Sequence, residues 1–310
     1  CRIGFDLGGS DRKCAAVIDG KVVHTEEVVW DPYFQKDPEY HARGIRDSIR
    51  RAAEKMPRVD AIGGSSAGVF VDNSPRVASL FRGLSRADFA ARIVNLFEDI
   101  RKEYNVPLVV ANDGEVTALA GAMSMKATGV LGLSMGTSTA AGYVNLNGNI
   151  TDWLNELAFA PVDYRDDAPA DEWSGDLGCG VQYFSQQGVA RLAKLAGLEF
   201  PDDMPLPKRL EEVQALMKQN DPRAAAIYRS IGVCFGYAVA HYADFYEIRK
   251  LLILGRVTSG EGGEIMIAEA RKVLETEFPA LAKQIEFRTP DEQFKRHGQA
   301  VIAASLPALK

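Results

Sequence analysis

Residues 3–22, IGFDLGGSDRKCAAVIDGKV, are echoed by residues 131–150, LGLSMGTSTAAGYVNLNGNI, at a constant offset of 128 and without gaps. Gly4, Gly8, Ser10 and Gly20 match Gly132, Gly136, Ser138 and Gly148. Ile3, Phe5 and Leu7 match Leu131, Leu133 and Met135 in character. Each copy has the grammar of a strand, a small-residue turn, a second strand and a further turn at Asp19-Gly20 or Asn147-Gly148. Asp-Gly and Asn-Gly are favoured in two-residue hairpin turns because both positions tolerate positive φ. A duplicated strand–turn–strand unit predicts two domains of like design, each opening with a glycine-turn hairpin.

Outward from these hairpins, strands alternate with helices, which predicts an α/β protein. Residues 39–56 carry Ile45, Ile49, Ala52 and Met56 on one helical face. Residues 59–64 form a short strand running into a Gly/Ser turn. Ser85 and Asp88 resemble a capping box ahead of one helix with the stripe Phe89, Ile93, Phe97 and Ile100. Residues 107–111 are a buried strand ending at Asn112-Asp113, and 116–125 a helix. Asp221-Pro222 starts a long helix to about Tyr246, by N-cap and N1 proline. Leu251–Leu254 is a strand, 261–278 a helix, and the stretch from Gly298 another.

The composition sets the function classes. The 310 residues include 36 Lys plus Arg against 42 Asp plus Glu, a net charge of −6, which argues against a partner bound chiefly through phosphates of nucleic acid. Hydrophobic residues at 46% and charged residues at 25% exclude a disordered chain. The four cysteines (Cys1, Cys14, Cys179, Cys234) stand no closer than 13 positions apart, so no zinc site at motif spacing and no disulfide framework is expected. The expectation is a reduced, cytoplasmic protein. The uncharged run 127–151 holds five glycines and many hydroxyl and amide side chains, too polar for a membrane span.

Four motifs carry chemistry. Asp6-Leu7-Gly8-Gly9-Ser10 ends a strand; its glycines let backbone N–H groups approach a phosphate, and Asp6 can reach magnesium or a water beside it. A Gly-Gly hairpin turn also needs no ligand. Gly136-Thr137-Ser138-Thr139 offers hydroxyls and backbone donors in the second copy, or an ordinary turn. Asn112-Asp113-Gly114 follows a buried strand, where a carboxylate faces the ligand crevice of an α/β sheet and can accept a proton from an attacking hydroxyl; the same triplet suits a helix N-cap. Gly255 to Gly263 (GRVTSGEGG) fits a strand–turn–helix that holds a nucleotide, or a capped loop. Neither GxGxxG nor a Walker A loop is present.

In order and spacing these motifs resemble the sugar kinase, actin and Hsp70 superfamily, and within it the ROK family of bacterial sugar kinases, over nearly the whole chain. The resemblance implies two ribonuclease-H-like domains of the actin-like ATPase fold with a cleft between them. The expected domains are 1–113, completed by a C-terminal helix about 296–310, and 114–295. It implies ATP and Mg2+ as cofactors and transfer of the γ-phosphoryl group to a sugar hydroxyl. Asp113 would be the base, with Asn112, Glu156, Gly68 and Asn73 on the sugar. Asp6, Gly8, Gly9, Ser10, Lys13, Gly136, Thr137, Ser138, Gly255, Arg256 and Gly263 would serve nucleotide, phosphate and metal. A homodimer is a family expectation; no nucleic acid or membrane partner is expected, and with Asp6 so near the start no DNA-binding domain is expected ahead of the first motif.

Departures from the family pattern qualify the resemblance. Phe159 stands where the motif has His, and Val181 near a second sugar-binding Glu. The zinc-binding His and cysteine cluster is missing. Asp11 follows Ser10 where many members have Lys, Lys13 stands where polyphosphate-using members carry Lys, and Arg256 replaces Gly. Two alternatives follow: a catalytically degenerate sugar-binding protein, and a kinase using polyphosphate as donor. Arg46, Arg50 and Arg51 are expected on a solvated helix face. Trp153 and Trp173 are expected near the sugar, more as packing than as stacking partners. The acidic stretch 163–172 is expected as a solvent loop or a dimer contact.

Overall fold

Strand β1 (Arg2–Leu7) pairs antiparallel with β2 (Asp11–Ile18), and β2 with β3 (Lys21–Val29). The β2–β3 turn places Asp19 and Gly20 at φ 48° and 75°, the two positive values that a type I′ hairpin demands. On its other side β1 runs parallel to β4 (Ala61–Ser66), and β4 to β7 (Leu108–Asn112), giving the sheet order β3-β2-β1-β4-β7. A separate small hairpin pairs β5 (Val69–Val71) with β6 (Ser74–Val77). The computed structural model describes residues 1–151, 153–172, 174–290 and 298–308.

One face of this sheet packs on α1 (Pro38–Ala53), which is capped by Asp37 and buries Ala42, Ile45, Ile49 and Ala52. The opposite face takes α10 (Gln299–Ala303). That helix lies so close that a Cβ on Gly4 or Gly63 would stand 1.6 or 1.7 Å from the carbonyl oxygens of Ala300 and Ala303. Glycine at both positions is therefore a packing requirement. Residues 296–297 and 309–310 of the expected C-terminal helix lie outside the described residues.

The single helix expected from Ser85 is instead three pieces. Ser85 caps a turn, α2 (Arg86–Asp88), as its hydroxyl accepts from Asp88 N. A π segment follows at Phe89–Ile93, with Val94 N donating to Phe89 O, and then α3 (Leu96–Tyr104). The extra residue in the π turn rotates the apolar stripe, so that Ile93, Leu96, Phe97 and Ile100 are all buried.

The second sheet has the order β11-β10-β8-β9. Strand β8 (Val130–Met135) pairs antiparallel with β9 (Thr139–Val144) and parallel with β10 (Lys250–Leu254), and β10 parallel with β11 (Glu286–Arg288). The strands keep the offset of 128: β1 and β2 begin at residues 2 and 11, β8 and β9 at 130 and 139. Pairing slips by one residue. Leu7 opposes Arg12 around Gly8–Asp11, whereas Met135 opposes Thr139 around Gly136–Ser138. Among the described residues the second copy shows no equivalent of β3: after Asn145–Asn149 only an isolated Val144–Ile150 bridge forms, in place of the two-residue turn expected at Asn147-Gly148. Asn145 explains this, since its Oδ1 accepts from both Asn147 N and Asn149 N and closes a wider turn.

Helix α4 (Asp113–Met125) follows β7 directly, and the helices of the second unit are α5 (Gln186–Leu195), α6 (Leu206–Lys218), α7 (Pro222–Tyr242), α8 (Gly260–Glu277) and α9 (Pro279–Gln284). Helix α7 starts at the expected Asp221 cap but ends at Tyr242, where i→i+3 bonds tighten the chain and leave Tyr246 to donate its hydroxyl to Asn155 Oδ1 at 2.8 Å. The chain divides into two compact units, Cys1–Ala120 with Glu292–Lys310, and Gly121–Asp291. Each has its own buried apolar cluster. Among the described residues no helix is long and apolar enough to cross a membrane.

Candidate active site

In the first unit, the carboxyl ends of β1, β4 and β7 gather Asp6, Ser65, Ser66, Asn112 and Asp113. Parallel pairing sets this order, with Asp6 opposite Ser65 and Ser66 opposite Asn112. Asp6 is only 5% exposed. Burial pushes its carboxyl up to about 6; the Ser65 hydroxyl and the Lys13 ammonium hold the shift back, and the charge of Asp113 adds to it. A dehydrated carboxylate of this kind fits a cation. The buried Ser66 hydroxyl has no hydrogen-bond partner among the described residues, so a polar group remains to be satisfied there.

Asp113 is the first residue of α4. Its Oδ1 accepts from Gly114 N at 2.9 Å, a bond that favours the charged form. Burial outweighs it and raises the Asp113 carboxyl above the ordinary carboxylate range. Asn112 Oδ1 shares the same Gly114 N–H at 2.8 Å, and its Nδ2 donates to Gly68 O at 2.8 Å. Gly68 has φ 128°, and a Cβ there would meet Val77 O at 2.5 Å. Asn73 Nδ2 donates to Leu108 O and its Oδ1 accepts from Val110 N, so its amide clamps β7 in place. Gly68, Asn73, Asn112 and Asp113 thus form one hydrogen-bonded assembly on β7.

The first glycine turn is buttressed from behind. Gly8 N donates to Asp11 O at 2.9 Å, Trp30 Nε1 donates to Gly8 O at 2.8 Å, and a Cβ on Gly9 would run into the Tyr33 hydroxyl at 2.1 Å. Lys13 faces Asp11 at 3.0 Å, and Ser10 Oγ donates to the same carboxylate. Burial alone would lower the Lys13 ammonium; the carboxylates of Asp11, Asp6 and Glu27 together overcome it and raise it. Lys13 is therefore held by acids of its own chain.

In the second unit, Gly136 N donates to Ser138 O at 2.8 Å, and Gly136 O accepts from Gln186 N at the start of α5. Thr137 Oγ1 donates to Gln186 Oε1 at 3.4 Å, which ties Gly136-Thr137-Ser138 to that helix. Gly255 has φ 100° with Met135 O 2.3 Å from a hypothetical Cβ, and Gly263 would meet Thr258 O at 1.9 Å. Only glycine fits either position. Arg256 is exposed. Glu156 sits in a tight turn whose Phe159 N donates to Glu156 O at 3.0 Å. Phe159 packs against Ala158, Cys179 and Val181, so the positions of the missing His and Glu lie in one apolar cluster.

Sequence reasoning missed several supporting residues. Gln299 Nε2 donates to Thr117 Oγ1 at 2.6 Å and to Asp113 O at 3.3 Å, pinning the start of α4 from a distance of 186 residues in sequence. No local signal announces such a contact. Ser65 and Ser66 were visible only as part of a Gly/Ser turn. Of the three arginines expected on a solvated face, Arg50 is exposed there, whereas Arg46 and Arg51 are only partly so. Arg46 pairs with Glu103, while Arg51 pairs with Asp47 and Glu26 and is about one-third exposed, because α1 lies against β3 and α3 there. Trp153 is exposed and stacks on Tyr143 with centroids 6.0 Å apart; Trp173 lies outside the described residues. The acidic stretch 163–172 is pinned by bonds from Val162 N and Asp163 N to Gly178 O and by the Tyr183 hydroxyl donating to Asp163.

The sequence model described as "ROK family" matches residues 2–303. Among solved structures, the chain is similar to the ROK hexokinase from Thermus thermophilus (19% identity, 98% of this chain and 96% of that one, TM-score 0.71). It is similar to a ROK family glucokinase from Streptomyces griseus in complex with glucose and AMPPNP (21%, 99% and 98%, 0.65). It is also similar to a ROK family transcriptional regulator, a homolog of the E. coli MLC protein (18%, 97% and 77%, 0.74). No curated protein matches. The neighbours share the actin-like ATPase fold expected from the motifs, and a family match over nearly the whole length settles membership: the chain belongs to the ROK family.

Proposed function

We propose that the protein is an ATP-dependent carbohydrate kinase with Asp113 as general base. The observation that carries this reading is the placement of Asp6 and Asp113 at the carboxyl ends of β1 and β7, on either side of β4, both carboxyls raised by burial and close enough for one charge to act on the other. A titrating base and a cation-seeking carboxylate in one site are what phosphoryl transfer requires.

Asn112, Gly68, Asn73 and Glu156 hold the sugar. Asn112 and Asn73 are already braced on β7, so they orient the acceptor at little entropic cost. Asp113 accepts the proton of the sugar hydroxyl as the oxygen bonds to the γ-phosphorus and the bond to ADP breaks. The glycines of both turns, with Ser10, Thr137 and Ser138, present donors to the phosphates, while Gly255, Arg256 and Gly263 shape the nucleoside pocket. Asp6 would hold magnesium, directly or through a water, and the ion would neutralise phosphate charge. Lys13 lies beside Asp6 and steers phosphate once Asp11 releases it.

The regulator among the neighbours and the apolar cluster at Phe159 and Val181 favour a second reading, a sugar binder without turnover. Coupled ADP release over a panel of hexoses, N-acetylhexosamines and their epimers tests both. Turnover with one sugar supports the kinase; calorimetric sugar binding with neither ATP binding nor turnover supports the binder. Polyphosphate as donor is disfavoured by the acids around Lys13, and its substitution for ATP should yield no sugar phosphate.

A further inference from the structure

The spacing of cysteines and histidines along the chain gives no metal motif, yet strand pairing assembles a donor set that spacing cannot reveal. Cys14 opposes Glu26 across the β2–β3 ladder, and Ala16 opposes His24. Residues two apart on a strand share a face, so His24 and Glu26 of β3 converge on Cys14 of β2. One ligand atom from each of the three lies within 4.8 Å of the others. His24 Nε2 and Glu26 Oε2 are 3.4 Å apart, and the Cys14 side chain is buried beneath them. No other group of three His, Cys, Asp or Glu side chains is so disposed among the described residues.

The surroundings orient these groups. Arg51 NH1 donates to Glu26 Oε1 at 2.5 Å, which leaves Oε2 turned toward His24. Arg51 is itself fixed by Asp47 at 2.7 Å, and Asp47 also takes Arg12 at 2.6 Å. Outer hydrogen bonds to a ligating carboxylate are a recurrent feature of metal centres. Asp47 also takes Arg50, which pairs in turn with Glu54, so three guanidiniums (Arg12, Arg50 and Arg51) are matched by three carboxylates (Asp47, Glu54 and Glu26).

We propose that Cys14, His24 and Glu26 form a binding site for a borderline divalent ion of the zinc class. A thiolate, an imidazole and a carboxylate suit zinc and exclude magnesium, which takes oxygen donors. Binding forms the sulfur–metal bond as the Cys14 thiol gives its proton to solvent. Three protein ligands leave a fourth position for water. The site is distinct from the phosphoryl-transfer site: Lys13, next to Cys14, points to the other face of β2. Its effect is to staple the edge strand β3 to the hairpin that carries Gly8 and Gly9.

The test is titration of the full chain, stripped by chelator, with cobalt(II) and then zinc(II). The expected result is a thiolate-to-cobalt charge-transfer band reaching its limit at one equivalent per chain and bleached by zinc. Cys14→Ser should abolish the band, while Cys179→Ser and Cys234→Ser keep it. His24→Ala and Glu26→Gln alter side chains on a partly exposed edge strand and report even where Cys14→Ser fails to fold; each should weaken cobalt binding by more than about tenfold. Zinc should raise the melting temperature of the wild type and not of these variants. No band at one equivalent, or a band that survives Cys14→Ser, overturns the proposal.

Discussion

At the scale of single residues, the site is built from carboxyls that burial makes hard to ionise. Asp6 binds its proton more tightly in the folded chain than in the unfolded one. That preference favours folding in full below about pH 4 and is lost as the pH rises through about 6. Above that range the ionised Asp6 costs about 3 kcal/mol, at 1.36 kcal/mol per pKa unit. Asp6→Asn should therefore be more stable than wild type in urea at pH 7.5, by up to about that amount, with a smaller difference at pH 5. It should also lose activity. A variant no more stable at pH 7.5 than wild type would contradict the burial argument. The raised Asp113 carboxyl predicts that kcat/KM falls on acidification with a midpoint above about 4, the ordinary carboxylate value. Asp6, Asn112 and Asp113 were legible in the sequence because each ends an apolar run. Asn73 was expected at the sugar, but its clamp on Leu108 and Val110 was not legible, since that depends on where the β5–β6 hairpin folds back.

At the scale of elements, the duplicated hairpin was legible because its glycines and alternating apolar residues repeat. The one-residue difference between the two turns was not legible, since loop closure depends on whether Gly8 N bonds to the third residue on or Gly136 N to the second. The π turn at Phe89–Ile93 escaped for a related reason: helix periodicity assumes a constant 3.6 residues per turn, and core packing here demanded one residue more. The contact of α10 with β1 and β4 sets a prediction. Gly63→Ala places a methyl against the Ala303 carbonyl, and the helix must move to admit it. A loss of about 1–3 kcal/mol is expected, read as a lower urea midpoint. Because α10 begins at Gln299, which anchors the start of α4, activity should fall before the chain unfolds.

At the scale of the whole molecule, the chain folds as two units of related design, and the C-terminal segment returns to the first of them. That return was an expectation of the family resemblance rather than of any residue pattern, since α10 is five residues long and carries little periodic signal. The net charge of −6 argues against a partner bound chiefly through nucleic-acid phosphates, and the kinase reading is carried by the two buried carboxyls Asp6 and Asp113 rather than by basic residues. That reading rests on Asp113. The most direct test compares wild type with Asp113→Asn in a coupled ADP-release assay with ATP and the sugar that turns over best. General-base loss predicts a kcat lower by about 10²–10⁴ with sugar binding by calorimetry preserved. Turnover unchanged in Asp113→Asn, or a wild type that binds sugar and ATP together without releasing ADP, would contradict the account.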